Sequence, residues 1–358
     1  MSRGPSWALL TLTLLAGCGG DPTGEPVEVT VPTGAGLGEV ADSLTSRGIV
    51  DYGLLFQAYV RLKRADRGVR AGTYRLRPGE AWSRIVETLT EGRVVTSTMT
   101  IPEGWTLRQM APRIAQITRL PADTVLRRLT ADTASERWEV PGPGLEGYLF
   151  PDTYRFAPGT SLDRVVATMT DRYRAYWTEE RRARLDSLGM SEREAVTLAS
   201  IVQAEARRLE EMPAIAGVYH NRLERRMLLG ADPTVLYALG GYRARLLYAA
   251  IDSVADNPYN TYTQRGLPPG PIGAPGERAL DATLEPAETD DLYFVALPDG
   301  RHLFTGSLAE HNRARVAARR AWDTARATVG VRGPVDAGDS VADPVEADTA
   351  AGPPPPNP

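Results

Sequence analysis

The chain has 358 residues, of which 42% are hydrophobic and 24% charged, enough for one large domain or two modest ones. Its formal net charge is -4. A chain without a basic excess lacks the electrostatic footprint of a nucleic-acid-binding protein, so we expect no nucleic-acid partner.

The first 18 residues have the pattern of a secretory signal. Arg3 precedes an apolar run from Trp7 to Leu15, which is too short to span a bilayer, and small residues then lead to Cys18. The ending Leu15-Ala16-Gly17-Cys18 resembles a bacterial lipobox, which implies cleavage before Cys18 and lipidation of its thiol. A plain cleavable signal and an uncleaved anchor remain alternatives. Because Cys18 is the only cysteine, no intrachain disulfide can form.

Residues 27–93 are predicted to form a small mixed α/β module that follows a flexible tether at 19–26. The alternating segment 27–31 predicts a strand, and 70–76 predicts a turn into a second strand. Apolar residues at helical spacing predict helices at 37–47, 54–64 and 81–90, the last closed by Gly92. In the second helix one side is apolar: Leu55, Ala58, Tyr59 and Leu62.

A larger second domain is predicted to follow at 94–328. It opens with a strand at 94–101 and helices at 106–117 and 121–130. The stretch from Leu145 to Tyr154 mixes apolar, aromatic and acidic residues, and taken alone it predicts a strand and turn with exposed aromatics. Residues 161–188 predict one long amphipathic helix or two shorter ones.

The next helix carries the strongest candidate for chemistry. Ser191 and Glu194 form an S-x-x-E capping box, which predicts a helix start. Residues at helical spacing then form one apolar face, and Glu205 lies on or beside it. A poorly solvated carboxyl has a raised pKa and can act as a general acid near neutral pH. The alternative is a glutamate that reaches water at the edge of the helix.

The C-terminal half adds a stiff loop and a hairpin. A helix is predicted at 213–226, and Asp232-Pro233-Thr234 is interpreted as the cap of another. The loop 257–276 is rich in proline and glycine, so its polar residues can be held in fixed positions; a long connector is the alternative. Strands at 292–295 and 301–304 predict a hairpin, a terminal helix runs over 310–327, and the tail 329–358 has a composition typical of disorder.

Several of these stretches, in order, resemble the YceG-like (MltG-type) endolytic murein transglycosylases. The matching pieces are Leu145–Tyr154, Ala199–Val202 with Glu205, Asn221–Leu223, Asp232–Val235, Asn260–Tyr262, Gly266–Gly270, Leu292–Val295, His302 with Phe304, and His311-Asn312. The resemblance covers about residues 27–325. It implies an α+β fold: a LysM-like first module and a larger mixed helical/β YceG-like catalytic domain.

The resemblance also implies an activity and a site. The activity is non-hydrolytic cleavage of the MurNAc–GlcNAc β-1,4 bond of peptidoglycan glycan strands, which leaves 1,6-anhydro-MurNAc ends and ends strand growth. Glu205 is then the catalytic acid and base. We place four residues around the sugar: Glu146, Asn260, Thr261 and Tyr262. The chain departs from the family pattern at Gln203, Gly230 and Ala274.

Two other function classes stay open at this stage. A two-carboxylate hydrolase would use Glu205 with Glu146 or Asp152. A non-catalytic peptidoglycan-binding lipoprotein would act through the LysM-like module alone. We expect neither cofactor nor metal, because the three histidines, His220, His302 and His311, lack zinc-site spacing.

The location follows from the N-terminal signal. A lipidated Cys18 would anchor the chain in the cell envelope, facing the periplasm, and the cytoplasmic membrane is the expected one. The resemblance implies cell-wall synthases as further partners, in cell wall biogenesis and degradation.

Overall fold

The structure, a computed structural model, describes residues 24–32, 34–131, 133–142, 144–241 and 246–329. The predicted signal with Cys18, most of the tether and the tail from 330 lie outside these residues. The chain divides into two compact units, one comprising residues up to 98 with 155–160 and the other comprising 99–154 with residues from 161 onward. Within the described residues, no helix is both long and apolar enough to cross a membrane.

The first unit contains a two-stranded antiparallel sheet with helices packed around one core. The strands are paired so that Val29 lies opposite Tyr74. Buried side chains from both strands and all three helices form the core. The predicted strands and helices are confirmed, including the left-handed Gly92 at the end of the last helix. The elements are β1 (Val27–Val31), α1 (Leu37–Ser46), α2 (Gly53–Leu62), β2 (Gly72–Leu76) and α3 (Trp82–Glu91).

Helix α2 has apolar residues on two sides, and only one side is buried. Phe56 and Val60 point into the core. The opposite side carries Leu54, Leu55 and Leu62, which are 81%, 59% and 82% exposed. The apolar side identified from the sequence is therefore largely the one that faces solvent, because periodicity locates an apolar stripe without saying what covers it.

The second unit is mostly helical. The helices predicted at 106–117 and 121–130 are confirmed, and the segment 161–188 forms two helices rather than one. Three helices were not predicted, α6, α12 and α13. The elements from residue 97 onward are β3 (Ser97–Thr100), α4 (Leu107–Thr118), α5 (Ala122–Leu129), α6 (Ala134–Arg137), β4 (Thr153–Phe156), α7 (Leu162–Tyr176), α8 (Glu179–Ser187), α9 (Glu192–Glu205), α10 (Met212–Glu224), α11 (Asp232–Ala238), α12 (Tyr248–Asp252), α13 (Glu277–Leu284), β5 (Tyr293–Ala296), β6 (His302–Thr305) and α14 (Leu308–Val329). The strands β3 and β4 each include residues of both units.

Helix α9 runs through the middle of the second unit and packs against α10, α11 and α13. Every residue from Ala195 to Val202 is buried, including Thr197 and Ser200. Both hydroxyls are hydrogen-bonded despite their burial, because each donates to a backbone oxygen one turn earlier on the same helix. The sequence predicted a single apolar face, whereas the helix is enclosed on all sides over this stretch.

The aromatic residues of 145–154 are buried, which contradicts the interpretation of that stretch as a turn with exposed aromatics. Tyr148 meets Tyr173 edge to face at 5.2 Å between ring centroids. Phe150 stacks on Tyr176 at 6.3 Å. The rings of α7 cover these side chains, and burial of large aromatic surfaces explains why this turn is fixed.

The predicted hairpin is confirmed. Strands β5 and β6 pair antiparallel, with Phe294 opposite Phe304. Helix α14 packs on the hairpin, and the indole N–H of Trp322 donates to the carbonyl of Ala296 at 3.1 Å. The contacts with α14 therefore hold in place the hairpin that carries Phe294.

Candidate active site

Glu205 is the last residue of α9, and the start of that helix is fixed by the predicted capping box. The N–H of Glu194 donates to Ser191 Oγ at 3.3 Å, and the N–H of Ser191 donates back to Glu194 Oε2 at 2.8 Å. At the other end, the last carbonyls of a helix carry partial negative charge. This end of α9 therefore disfavours the ionised form of Glu205.

One oxygen of Glu205 is held by a buried tyrosine. The hydroxyl of Tyr219, from α10, donates to Glu205 Oε1 at 3.1 Å. The ring of Tyr219 is fixed edge to face against Phe294, 5.8 Å away. Within the described part of the chain, Oε2 of Glu205 has no hydrogen-bond partner. The residue keeps partial exposure, so this second oxygen is the one available to a ligand.

A second carboxylate, that of Asp232, accompanies Glu205, and it is not among the site residues predicted from the sequence. The sequence interpreted Asp232 as a helix cap, but the N-cap of α11 is Ala231 and it makes no side-chain cap bond. The Asp232 carboxylate instead accepts a short hydrogen bond from the hydroxyl of Tyr262. A hydrogen bond across 30 residues of sequence leaves no local signal, which is why capping was the natural interpretation.

The pKa of Glu205 is raised to about 8. Burial is the main cause, and the negative charge of Asp232 adds to it. The hydrogen bond from Tyr219 and the positive charges of Arg222 and Arg207 act in the opposite direction and are weaker. Glu205 is therefore predominantly protonated at neutral pH, as the sequence argument required of a general acid.

Arg222 ties the segments around the site together. It is buried, and its Nε donates to the carbonyl of Leu292 while its Nη1 donates to that of Leu229, each at 2.6 Å. Its neighbour Asn221 donates through Nδ2 to the carbonyls of Thr289 and Asp291 at 2.7 and 2.9 Å. The Asn-Arg pair of the matching motif thus connects α10 to the chain that enters the hairpin.

Hydrogen bonds connect the stiff loop 257–276 to three residues of α9. Arg193 Nε donates to the carbonyl of Pro269 at 2.8 Å. The N–H of Ile272 donates to Ser200 Oγ at 3.0 Å, and the N–H of Gly276 donates to Gln203 Oε1 at 3.0 Å. Because an amide oxygen accepts that last bond as a carboxylate would, the departure at Gln203 preserves this contact.

Asn260 and Thr261 are buried and bonded within the protein. The amide of Asn260 donates to the carbonyls of Ile251 and Val254 at 3.0 and 3.1 Å. Thr261 accepts at Oγ1 from the N–H of Ala231 at 2.9 Å. These contacts position the residues that lead into Asp232 and those that carry Tyr262. That Asn260 and Thr261 bind sugar stays a prediction. Tyr262 lies next to the candidate site, because its hydroxyl donates to the carboxylate of Asp232.

The second departure, Gly230, lies in this same turn. Its N–H donates to the carbonyl of Thr261 at 3.0 Å and its φ is 54°. The third departure, Ala274, is buried between backbone partners, since its N–H donates to the carbonyl of Trp105 at 2.9 Å. Both positions make backbone contacts that fix the loops.

Glu146 lies in a different place, at a cavity of about 160 Å³. Both of its oxygens accept hydrogen bonds, Oε1 from the N–H of Leu107 at 3.0 Å and Oε2 from the hydroxyl of Tyr237 at 3.3 Å. Burial raises its pKa to about 7, against the lowering effect of these bonds. The cavity is lined by Leu107, Thr130, Gly144, Leu145, Glu146, Tyr237, Tyr259, Gly270 and Pro271.

The turn that carries Glu146 needs its glycine. Gly147 has a φ of +84°, and a Cβ there would lie 2.4 Å from a side-chain atom of Pro271. Only a residue without a side chain permits this approach of the two loops. The conformation of Gly147 therefore connects the Glu146 turn to the proline loop.

The other carboxylate considered from sequence, Asp152, belongs to a surface ion-pair cluster. Its Oδ2 lies 3.2 Å from Arg172 Nε, and Arg172 also lies 3.5 Å from Glu277. These side chains are more than a third exposed. Asp152 thus has an ordinary surface ion pair.

The three histidines occupy separate environments. His220 Nε2 is 2.9 Å from the carbonyl of Thr283, and His302 Nδ1 is 2.8 Å from Glu211 Oε2. His311 stacks on Tyr293 at 5.1 Å. Across the described residues, no group of three or more histidine, cysteine and acidic side chains is placed to hold a metal ion.

Comparison with known proteins identifies relatives over most of the chain. The sequence model of the YceG-like family matches residues 29–317. An endolytic murein transglycosylase of Bacillus subtilis is 35% identical over 305 residues, covering 81% of this chain and 84% of that protein. One from Streptococcus pneumoniae is 31% identical over 321 residues, and the match covers 80% of this chain and 57% of that protein.

A solved structure agrees with these matches. The crystal structure of a yceG-like protein from Listeria monocytogenes has a TM-score of 0.56 and 32% sequence identity with this chain. The match covers 81% of this chain and 98% of that one. The α+β class predicted from the sequence is confirmed by the described elements.

Proposed function

This chain belongs to the YceG-like family, and we propose that it is an endolytic murein transglycosylase that cleaves the MurNAc–GlcNAc β-1,4 bond within glycan strands. The observation that carries the proposal is the protonated, partly accessible Glu205 at the end of a buried helix, with Asp232 beside it. The matching relatives bear that activity in their names. The substrate is peptidoglycan.

Glu205 supplies the proton for cleavage and later takes one back. Its carboxyl proton passes to the glycosidic oxygen as the bond from that oxygen to C1 of the muramyl residue breaks. The resulting carboxylate removes the proton of the muramyl 6-hydroxyl, and O6 closes on C1. The products are a free 4-hydroxyl on the departing sugar and a 1,6-anhydro end, and Glu205 regains its proton. A pKa of about 8 suits both steps near neutral pH.

Asp232 and Tyr262 act on Glu205 rather than on the bond. The negative charge of Asp232 favours the protonated form of Glu205. The hydroxyl of Tyr262 donates to the carboxylate of Asp232 and holds it in place, and the hydroxyl of Tyr219 orients Glu205 by donating to its Oε1. The free oxygen, Oε2, faces the ligand. Asn260 and Thr261 serve this arrangement by fixing the loop that carries Tyr262.

Glu146 and its cavity accommodate part of the glycan. Two tyrosine rings, Tyr237 and Tyr259, lie 4.9 Å apart at the cavity and offer apolar surface to a sugar ring or its acetamido methyl. The carboxyl of Glu146 offers an acceptor for a sugar hydroxyl or amide. Because both oxygens of Glu146 are already hydrogen-bonded, we assign it to binding rather than to proton transfer.

The first unit and the N-terminal signal set the location. The strand–helix–helix–strand order of β1, α1, α2 and β2, with a core of its own, supports a LysM-like module that binds peptidoglycan. The Leu15–Cys18 ending supports a lipid anchor at Cys18 that holds the chain at the periplasmic face of the cytoplasmic membrane. From there the enzyme ends nascent strands beside the cell-wall synthases.

Mass spectrometry of soluble products tests the activity. Purified protein and its Glu205→Gln variant are given uncrosslinked glycan strands. Anhydro-muramyl ends from the first and none from the second support the transglycosylase. Hydrated reducing ends would instead identify a hydrolase. Strand binding without any product would identify a binding lipoprotein.

A further inference from the structure

One side of α2 is an apolar surface in contact with solvent. Leu54, Leu55, Ala58 and Leu62 recur at positions that an α-helix places on one stripe, and we call them the α2 leucine face. All four are exposed, two of the leucines by more than 80%. Single exposed leucines are ordinary, whereas a contiguous stripe of them indicates an interaction site.

This face cannot be hidden by a local rotation of the helix. The opposite side of α2 supplies Phe56 and Val60 to the core of the first unit, where Phe56 meets Trp82 edge to face at 5.7 Å. Turning the leucines inward would expose these two buried side chains. The α2 leucine face therefore remains available to a partner in the folded protein.

Positive charge surrounds the end of the same helix. The seven residues from 61 to 67 contain four exposed basic side chains and a single acidic one, Asp66. Nowhere in the described ranges does a carboxylate lie within ion-pairing distance of any of the four. The basic residues are Arg61, Lys63, Arg64 and Arg67.

We propose that the α2 leucine face and this basic segment dock on the surface of an anionic phospholipid bilayer. Leucines on an amphipathic helix enter the boundary between headgroups and acyl chains, while arginine and lysine meet the phosphates. A symmetric contact with a second copy would bring two basic segments together at the cost of like-charge repulsion. Glycan strands offer neither an apolar interior nor a dense anionic surface.

The tether keeps this surface within reach of a membrane. Residues 19–26 span at most about 28 Å when extended, at about 3.5 Å per residue. If Cys18 is lipidated, as proposed above, β1 starts within that distance of the bilayer. Docking through α2 then fixes the orientation of the first unit, which the tether alone would leave free.

Vesicle sedimentation tests the docking surface with the chain from Gly19 onward, which keeps every described residue and lacks the anchor. We expect binding to vesicles containing phosphatidylglycerol, at least tenfold weaker binding to phosphatidylcholine vesicles, and weakening as salt is added. The double variant Leu54→Glu/Leu62→Glu should bind the vesicles at least tenfold more weakly, because each leucine that moves from water into the bilayer raises the affinity about tenfold. The matched control is Val316→Glu, which changes a residue of α14 that is 54% exposed.

Three results would overturn the proposal. They are no sedimentation of the unmodified chain, undiminished binding of the leucine double variant, and a concentration-dependent dimer that the double variant abolishes. A charge variant, Arg61→Gln/Lys63→Gln/Arg64→Gln, gives a second test that leaves the leucines in place. Undiminished vesicle binding by this variant would also overturn the proposal. Circular dichroism checks that each variant is folded.

The same samples separate this surface from the catalytic proposal. Each of these variants should still release anhydro-muramyl products from soluble glycan strands, because Glu205 and its hydrogen-bond partner Tyr219 are unchanged. A chain that cleaves strands and ignores vesicles would overturn the docking surface alone. A chain that binds vesicles and yields no cleavage product would overturn the catalytic proposal alone.

Discussion

Glu205 and Glu146 are both half-buried glutamates with raised pKa values, about 8 and about 7, and burial is the main cause in each. They differ in their neighbours. Glu146 has hydrogen bonds to both oxygens, from a backbone N–H and from Tyr237. Glu205 is bonded at Oε1 alone and has a second carboxylate, Asp232, close enough to raise its pKa further.

The difference shows that burial by itself does not make a carboxyl a proton donor. A carboxyl whose oxygens are both bonded to the protein is held in place and suited to bind. A carboxyl with one free oxygen and a like charge beside it keeps its proton and can deliver it. The two sites can be compared directly, because the same substitution, glutamate to glutamine, removes the proton in each.

The largest expected effect is the loss of cleavage in Glu205→Gln. A glutamine can neither donate a proton to the glycosidic oxygen nor take one from the 6-hydroxyl, so kcat should fall by about 10²- to 10⁴-fold. Glu146→Gln keeps the shape of its site and should lower kcat by less than about tenfold while raising KM. Product release from glycan strands, followed by mass spectrometry, measures both variants.

Two outcomes of this experiment would contradict the roles assigned to Glu205 and Glu146. Equal loss of kcat in the two variants would give Glu146 a role in proton transfer. Full activity of Glu205→Gln would remove Glu205 from the chemistry altogether. Retained binding of glycan strands by both variants serves as the control for folding.

The next effect in size concerns pH. Since Glu205 must be protonated to start the reaction, kcat should decline as the pH rises through about 8. Asp232→Asn removes the negative charge that favours the protonated form, so the decline should move to lower pH. Tyr262→Phe is the control, because it removes the hydrogen bond to Asp232 and leaves the charge. A profile unchanged in Asp232→Asn would show that Asp232 does not influence the proton of Glu205.

Local signals in the sequence were enough to place Glu205. The capping box at Ser191 fixes where α9 begins, and helical spacing fixes which residues follow. Glu205 is desolvated at the end of this helix, and that desolvation is the largest cause of its raised pKa. The hairpin was equally local, since Asp299-Gly300 lies between two apolar strands.

The rest of the site depends on contacts between distant residues. Asp232 accepts from Tyr262 and raises the pKa of Glu205 only after the chain has folded, and its local context, before a proline, resembles a cap. Asn260 has the polar character of a binding residue, yet its partners lie in the segment just before it and bury it. For α2 the periodicity indicated the side that carries Leu55 and Leu62, and only the packed core shows that Phe56 and Val60 are the residues inside.

A smaller effect is expected on stability. Both glutamates have folded-state pKa values above the ordinary glutamate value of about 4.5, so their contribution to the free energy of unfolding is fully present below about pH 4.5. It is lost as the pH rises to about 7 for Glu146 and about 8 for Glu205. Glutamine has no charge to bury, so each variant should gain Tm over the parent at pH 9 and little at pH 5.

The gain should be larger for Glu205→Gln than for Glu146→Gln, because its pH window is wider. Every 1 kcal/mol corresponds to about 2–4 °C of Tm in a domain of this size. Thermal unfolding followed by circular dichroism at pH 5 and pH 9 measures the difference. The same change in Tm at both pH values would mean that repacking, and not the buried charge, sets the stability of the variants.

The smallest effect is expected at the cavity, from Tyr237→Phe. The hydroxyl of Tyr237 bonds Glu146 Oε2 at 3.3 Å and lowers the pKa of Glu146, so its removal should raise that pKa above about 7. More of Glu146 is then protonated at pH 7.5, where KM should rise about two- to tenfold, as expected for one hydrogen bond, with kcat unchanged. Tyr259→Phe is the matched control, because Tyr259 lines the same cavity without bonding Glu146. An equal rise of KM in both variants would show that ring packing, and not the charge of Glu146, governs binding there.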